Sequence, residues 1–191
     1  GELSGLIQEH PPGLHLAVGG VTRVGTSVGA RATAFAVPEL GVALDIGRLT
    51  PLLTAQPVVL LSHGHLDHLA GILAYLNVRA RFHEGEATAV FGPPEVMEPM
   101  RRALALMPGM ESVRKRARLE ELLRDATPAD EVVLAGGAAR PFPVDHGVPA
   151  FGWTLWQDGD ERPAVVYAGD GSADPFRAAP ELLDARVAIV E

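Results

Sequence analysis

Apolar residues in this chain recur in two periods, and the switch between them marks out the elements. Residues 58–61, Val-Val-Leu-Leu, have the length and branching of a buried strand, whereas Leu66, Leu69, Ile72, Leu73 and Leu76 recur at helical spacing. Residues 15–21, 30–37 and 42–46 have β-type composition, punctuated by Gly19-Gly20, Pro38 and Gly41. A further strand is expected near residues 88–91, closed by Gly92-Pro93-Pro94, and another over residues 164–169. Residues 97–107 and 112–125 read as helices separated by Pro108-Gly109. Met97, Met100, Leu104 and Met107 recur three and four residues apart, the stripe of a helix packing against a core. The pattern is strands, a turn, helices, then strands again, with no tandem repeat and no linker long enough to divide two domains.

The turn carries the chemistry. His63-Gly64-His65-Leu66-Asp67-His68 places three of the chain's seven histidines and one carboxylate in six residues, directly after the strand at 58–61. From an extended backbone His63 and His65, two residues apart, point the same way, while Asp67 and His68 open the helix beside them. Imidazole and carboxylate are the ligand set of zinc or another borderline first-row ion. A polar surface turn is the competing reading. It accounts poorly for so many histidines with no polar filler except Ser62. No phosphate-cradling glycine pattern is present, and the chain has no cysteine, so disulfides and thiolate zinc sites are excluded.

His146 lies at the end of a short apolar stretch, residues 142–144, and is either a hydrogen-bonded strand-end histidine or the third nitrogen that a tetrahedral site on His63 and His65 would need. Asp145 beside it is expected to point away. Asp170 closes the strand at 164–169 in a Gly-Asp-Gly turn, and Asp45 ends the strand at 42–46. Each is a natural turn carboxylate on its own. His10, His15 and His83 are expected to be surface or structural.

Composition is that of a globular domain: 191 residues, 47% apolar and 21% charged, read as one domain over 1–191. No apolar run approaches the roughly 20 residues needed to cross a bilayer. No basic-then-apolar segment opens the sequence, which makes the cytoplasm the expected compartment. The net charge of −8 opposes a polyanionic partner unless basic residues cluster locally. Arg101, Arg102, Arg114, Lys115, Arg116, Arg118 and Arg124 do cluster, interspersed with Glu111, Glu120, Glu121 and Asp125, as on a solvated helix face.

The hexapeptide resembles the metal-binding signature of the metallo-β-lactamase-fold hydrolases. Residues 24–33, 37–48, 144–153 and 168–172, taken in order, resemble the ribonuclease Z (tRNA 3′-processing endonuclease) branch. The resemblance implies an α/β fold, the αββα four-layer sandwich, with two Zn2+ ions, or Mn2+, in one site. It assigns His63, His65 and His146 to one ion and Asp67 and His68 to the other, with Asp170 bridging and Asp45 orienting a ligand. It further implies hydrolysis of an RNA phosphodiester with Asp67 as proton acceptor, and it admits a homodimer.

Two departures accompany it. The arm that many ribonuclease Z proteins insert before the strand ending at Asp170 has only residues 154–163 in its place. The strand expected over 186–191 matches one that leads to the family's last histidine ligand and its proton-shuttling histidine, which would lie downstream of Glu191. The second ion is therefore expected to be weakly held. A hydrolase of small esters, lactones or cyclic phosphodiesters, and a metal-binding protein without catalysis, are the competing functions.

Overall fold

The computed structural model describes residues 14–18, 20–172 and 174–190, so His10, Gly19 and Glu191 lie outside it. Two sheets form its centre. Seven strands run in sequential order across the first: β1 (Leu14–Val18), β2 (Val21–Val28), β3 (Ala32–Val37), β4 (Val42–Leu44), β5 (Val58–Leu60), β6 (Ala89–Gly92) and β7 (Leu123–Asp125). β1 to β4 are antiparallel neighbours, and β4 to β7 are parallel. The second sheet has the order β12 (Val187–Ile189), β11 (Val165–Tyr167), β10 (Phe151–Gln157), β9 (Gly137–Pro143) and β8 (Val132–Leu134).

Period-two alternation assigns each side chain to a layer. In the first sheet Phe35, Val37, Val42, Leu44 and Leu60 point inward, against Trp153, Leu155, Val165 and Tyr167 of the second sheet. Ala34, Ala36, Ala43, Val59 and Leu61 point outward under the helices α1 (Pro51–Ala55), α3 (Ile72–Phe82), α4 (Pro94–Leu106) and α5 (Glu111–Arg116). The outer face of the second sheet, Val166 and Ala168, is covered by Phe176 of α6 (Asp174–Ala178) and by Leu182 of a 3₁₀ turn. Helix, sheet, sheet, helix is the expected four-layer order.

The methionine stripe behaves as read: Met97 and Leu104 are fully buried, and Met100 and Met107 pack at the edge of the same core. Three expectations need correction. The helix over 112–125 is instead α5, a short turn at Leu119–Leu122 and then β7, because Leu123 is buried and its backbone pairs with Val90 on the sheet edge. The apolar spacing from Leu66 is broken at Gly71, whose N–H donates to Ile46 O at 2.8 Å and not to a helix carbonyl, so α2 (Leu66–Leu69) and α3 are separate; Leu66 is 73% exposed. The strand at 30–37 begins only at Ala32, since Ala30 adopts φ 58° in a hairpin turn from β2.

β10 and β11 are joined by a short turn, and Ala164 N–H donates to Leu155 O at 2.8 Å, so residues 154–163 hold a strand end and a hairpin turn. Among the described residues no helix is long and apolar enough to cross a membrane.

Arg23 on β2 is only 2% exposed, and among the described residues none of its guanidinium nitrogens has a hydrogen-bond partner. Burial pushes its pKa down against the opposing charge of Glu39. A desolvated cation without a partner is a net cost. Arg23→Met should therefore raise the free energy of unfolding, by about 1–4 kcal/mol. Urea denaturation of the two proteins measures it, and a loss of stability would reveal a bonding partner.

Candidate metal centre

The hexapeptide begins where β5 ends. Leu61 N–H donates to Phe91 O at 2.8 Å, so the chain leaves the sheet only after Leu61, and Ser62 and His63 emerge beside the second sheet. Two bonds fix the sheets to each other there. Trp153 Nε1–H donates to Leu61 O at 3.0 Å, and Phe151 N–H donates to Ser62 O at 2.8 Å. The turn from β4 is stitched to α2 in the same way: Ile46 N–H donates to His68 O at 2.7 Å and Gly71 N–H to Ile46 O at 2.8 Å. Gly47 leaves no room for a side chain, since a Cβ would lie 1.6 Å from the Asp67 carbonyl oxygen.

These constraints bring the predicted residues together. His63 Nε2 is 3.0 Å from His65 Nδ1, and His146 Nε2 is 3.2 Å from the same atom. On the other side His68 Nε2 lies 3.1 Å from Asp170 Oδ1 and 3.8 Å from Asp67 Oδ2. Donor atoms of His63, His65, His146 and Asp170 lie within 4.8 Å of one another, as do those of Asp67, His68 and Asp170, so Asp170 is common to both sets. His146 reaches the cluster from a turn past the end of β9, at Pro143, and not from the strand itself. Asp145 is exposed and outside the cluster, and His83 pairs with Glu86 at 3.1 Å on the surface.

The donors fit a cation. Asp45 is fully buried at φ 55° and its carboxylate can only accept, so His68 Nδ1, 2.7 Å from Asp45 Oδ2, carries the ring hydrogen. Ser62 Oγ gives its one hydrogen to Asp45 Oδ2 at 2.7 Å and so accepts from His63 Nδ1 at 2.9 Å. Both rings thereby turn Nε2 toward the site, and His63 presents a lone pair there. Burial, with His68 next in weight, pushes the His63 pKa down to about 4, so this imidazole is neutral at pH 7. The Nε2 atoms of His63 and His146 both face one ring nitrogen of His65, and a single hydrogen cannot satisfy all three. Two nitrogens about 2.05 Å from one tetrahedral ion would lie roughly 3.3 Å apart, close to the spacings present.

Sequence reasoning named Ser62 only as filler and missed Tyr167 and Gly47. Tyr167, fully buried on β11, donates its hydroxyl hydrogen to Asp45 Oδ2 and packs edge-on against Phe35. A Tyr inside a buried strand is itself a signal, because its hydroxyl must find a partner.

Two sheets between helices, with histidines and aspartates converging at their ends, define the metallo-β-lactamase fold. The chain belongs to the β-lactamase superfamily domain family, whose model matches residues 46–191. It is 30% identical over 134 residues to the chloroplastic tRNase Z of Arabidopsis thaliana, covering 69% of this chain and 36% of that one. It is 28% identical over 133 residues to the nuclear ribonuclease Z of Triticum aestivum, covering 69% and 73%. Against the first of these relatives, the chain spans about a third of the length. Among solved structures, the Cronobacter sakazakii metallo-β-lactamase with a HARLDQ motif superposes with a TM-score of 0.57 at 16% identity, over 92% of this chain and 79% of that one. The short form of human tRNase Z superposes at 0.52 with 14% identity, over 84% and 68%. These two show the shared fold.

Gly47→Ala should destabilise the protein by at least about 1–3 kcal/mol, as overpacking against backbone does. The Asp67 backbone must move to admit the methyl, so zinc affinity should fall as well. Chemical denaturation and zinc titration check the pair.

Proposed function

We propose that this chain is a metal-dependent hydrolase of phosphodiesters, resembling ribonuclease Z, with RNA as its substrate class. The observation that carries the reading is the convergence of three imidazoles on one point with the Asp67, His68 and Asp170 group beside it. His63, His65 and His146 would hold one ion, zinc by its donor chemistry or manganese, and Asp67 and His68 a second, with Asp170 between them. When bound, such ions bring the pKa of a water toward neutrality and offset charge on a phosphodiester oxygen.

The chain's own groups divide the remaining tasks. Asp67, 14% exposed at the start of α2, accepts the proton of the attacking water. His63 and His68 are held with their Nε2 atoms inward and are not free to swing. His65 is exposed, and His146 and Asp170 are half-buried, so substrate approaches from their side. The ribonuclease Z names of the relatives support RNA as the substrate.

One observation favours a small phosphodiester or ester instead. Most of the clustered arginines are already engaged: Arg101 with Asp125 and Glu98, Arg102 with Glu98, Arg116 with Glu84, and Arg114 with the carbonyls of Leu104 and Met107. Arg114 and Arg116 are therefore poor candidates for an RNA surface. Lys115 and Arg118 remain for it.

Asp67→Ala should abolish turnover with a smaller loss of total metal, whereas Asp170→Ala should release the second ion first. Elemental analysis beside assays on a chromogenic bis-aryl phosphodiester, a lactone and a pre-tRNA with a 3′ trailer separates the readings. Undiminished turnover in Asp67→Ala would overturn the proton-acceptor role. Inactivity on all three substrates with metal bound would favour a protein without catalysis.

Relative to a ribonuclease Z that carries the arm, this chain should favour the model phosphodiester over intact pre-tRNA. Any RNA binding should weaken steeply with salt. Tight tRNA binding that ignores salt would contradict this.

A further inference from the structure

We propose that Ser62 is a positioning residue that joins the two donor sets into one unit, by relaying the Asp45 carboxylate to His63 while Asp45 itself holds His68. The inference rests on the metal reading above for its consequence, but its geometry stands without a metal.

The carboxylate bonds directly to one set, through His68, reaches the other through Ser62, and takes hydrogen bonds from the sides of both sheets. Asp45 Oδ1 accepts Ser62 N–H at 2.7 Å. Asp45 Oδ2 accepts the Ser62 hydroxyl and His68 Nδ1–H, each at 2.7 Å, and the Tyr167 hydroxyl. Ser62 Oγ also lies 3.4 Å from His68 Nδ1, but that ring has one hydrogen there and the carboxylate is the nearer and stronger acceptor. The hydroxyl hydrogen is thus committed to Asp45 and the hydroxyl lone pair to His63.

His63 belongs to the set with His65 and His146, and His68 to the set with Asp67. Their rings stand 4.2 Å apart between centroids, so neither can turn without displacing the other. Ser62, Asp45 and His68 are at most 1% exposed, which keeps water from substituting for a lost partner. Tyr167 extends the unit to β11, three residues before Asp170. Loss of the carboxylate should therefore loosen both sets at once, and loss of the Ser62 hydroxyl should loosen the His63 set alone.

The test reads tautomers in the metal-free protein and affinity in the titrated one. Long-range nitrogen–proton NMR of the apoprotein should show His63 and His68 both protonated at Nδ1. Ser62→Ala should change the His63 signature and leave His68 as it was, and Ser62→Thr should restore it. Asp45→Asn should change both rings, since an amide turned with its oxygen to the three donors carries no charge to hold them and sets its nitrogen against the Ser62 N–H. In zinc titrations Ser62→Ala should weaken one binding step about 10–100-fold and Asp45→Asn both, the range found for groups that orient a ligating histidine.

An Nδ1-bare His63 in the wild type, or an unchanged His63 in Ser62→Ala, would overturn the relay. Equal weakening of both steps by Ser62→Ala would overturn the division between sets. If the tautomers follow this pattern but neither zinc nor manganese binds, the hydrolase reading fails and the relay stands. Tyr167→Phe, which leaves the relay intact, guards against loss of fold: it should lower stability without altering either ring.

Discussion

A buried carboxylate must be satisfied on all sides, and Asp45 meets that demand by drawing in groups from every layer that forms the site. Its partners come from the turn after β5, from α2 and from β11, and its own backbone N–H donates to Leu60 O at 2.9 Å. Asp45 sits in the left-handed region at φ 55°, a conformation held by the bonds of its carboxylate to Ser62, His68 and Tyr167, and it turns the carboxylate back into the protein. An unpaired buried charge would cost several kcal/mol, so these bonds form together or the local fold does not form. The positions of His63 and His68 follow from that requirement.

The sheets contribute the other half of the precision. Parallel strands β4, β5 and β6 end together, and the chain must turn at their ends, which gathers Asp45, Ser62 and His63 at one edge. The second sheet is brought to the same edge by Trp153 and Phe151, whose N–H groups bond to the carbonyls of Leu61 and Ser62. His146 and Asp170 come with it. Residues separated by as many as 107 positions thus meet in one cluster, held by main-chain and indole bonds that a sequence does not display.

Much of this was legible because the informative signals are local. The dense hexapeptide, the strand at 58–61 and the Gly-Asp-Gly turn each declare themselves within a few residues. The resemblance in series then tied His146 and Asp170 to the same site. What escaped was non-local or steric. The strand Val21–Val28 carries mixed polar and apolar positions and Val132–Leu134 is only three residues long, so both are defined by their pairing partners. The helical pattern over 112–125 ends in β7 because an edge position beside Val90 was available to Leu123. Gly47 and Gly71 look like ordinary loop glycines until the carbonyls of Asp67 and Ile46 are seen against them. Tyr167 was read only as part of an apolar strand.

Burial is graded across the cluster, and the grading divides the labour. His63 and His68 lie deep and are fixed by Asp45 and Ser62, whatever else the site holds. The His65 and His146 rings face outward, and among the described residues their hydrogen bonds run only within the cluster: His65 to His63 and His146, and His146 back to His65. Three ring nitrogens there share contacts that one hydrogen cannot satisfy, so protein contacts alone leave lone pairs set against one another. A cation would reverse the sign of those contacts, turning mutual repulsion into shared attraction, without asking the inner half to move. In the proposed hydrolase the inner donors would therefore be preorganised by the fold and the outer donors organised by the ion. The face that the ion orders is also the face open to substrate.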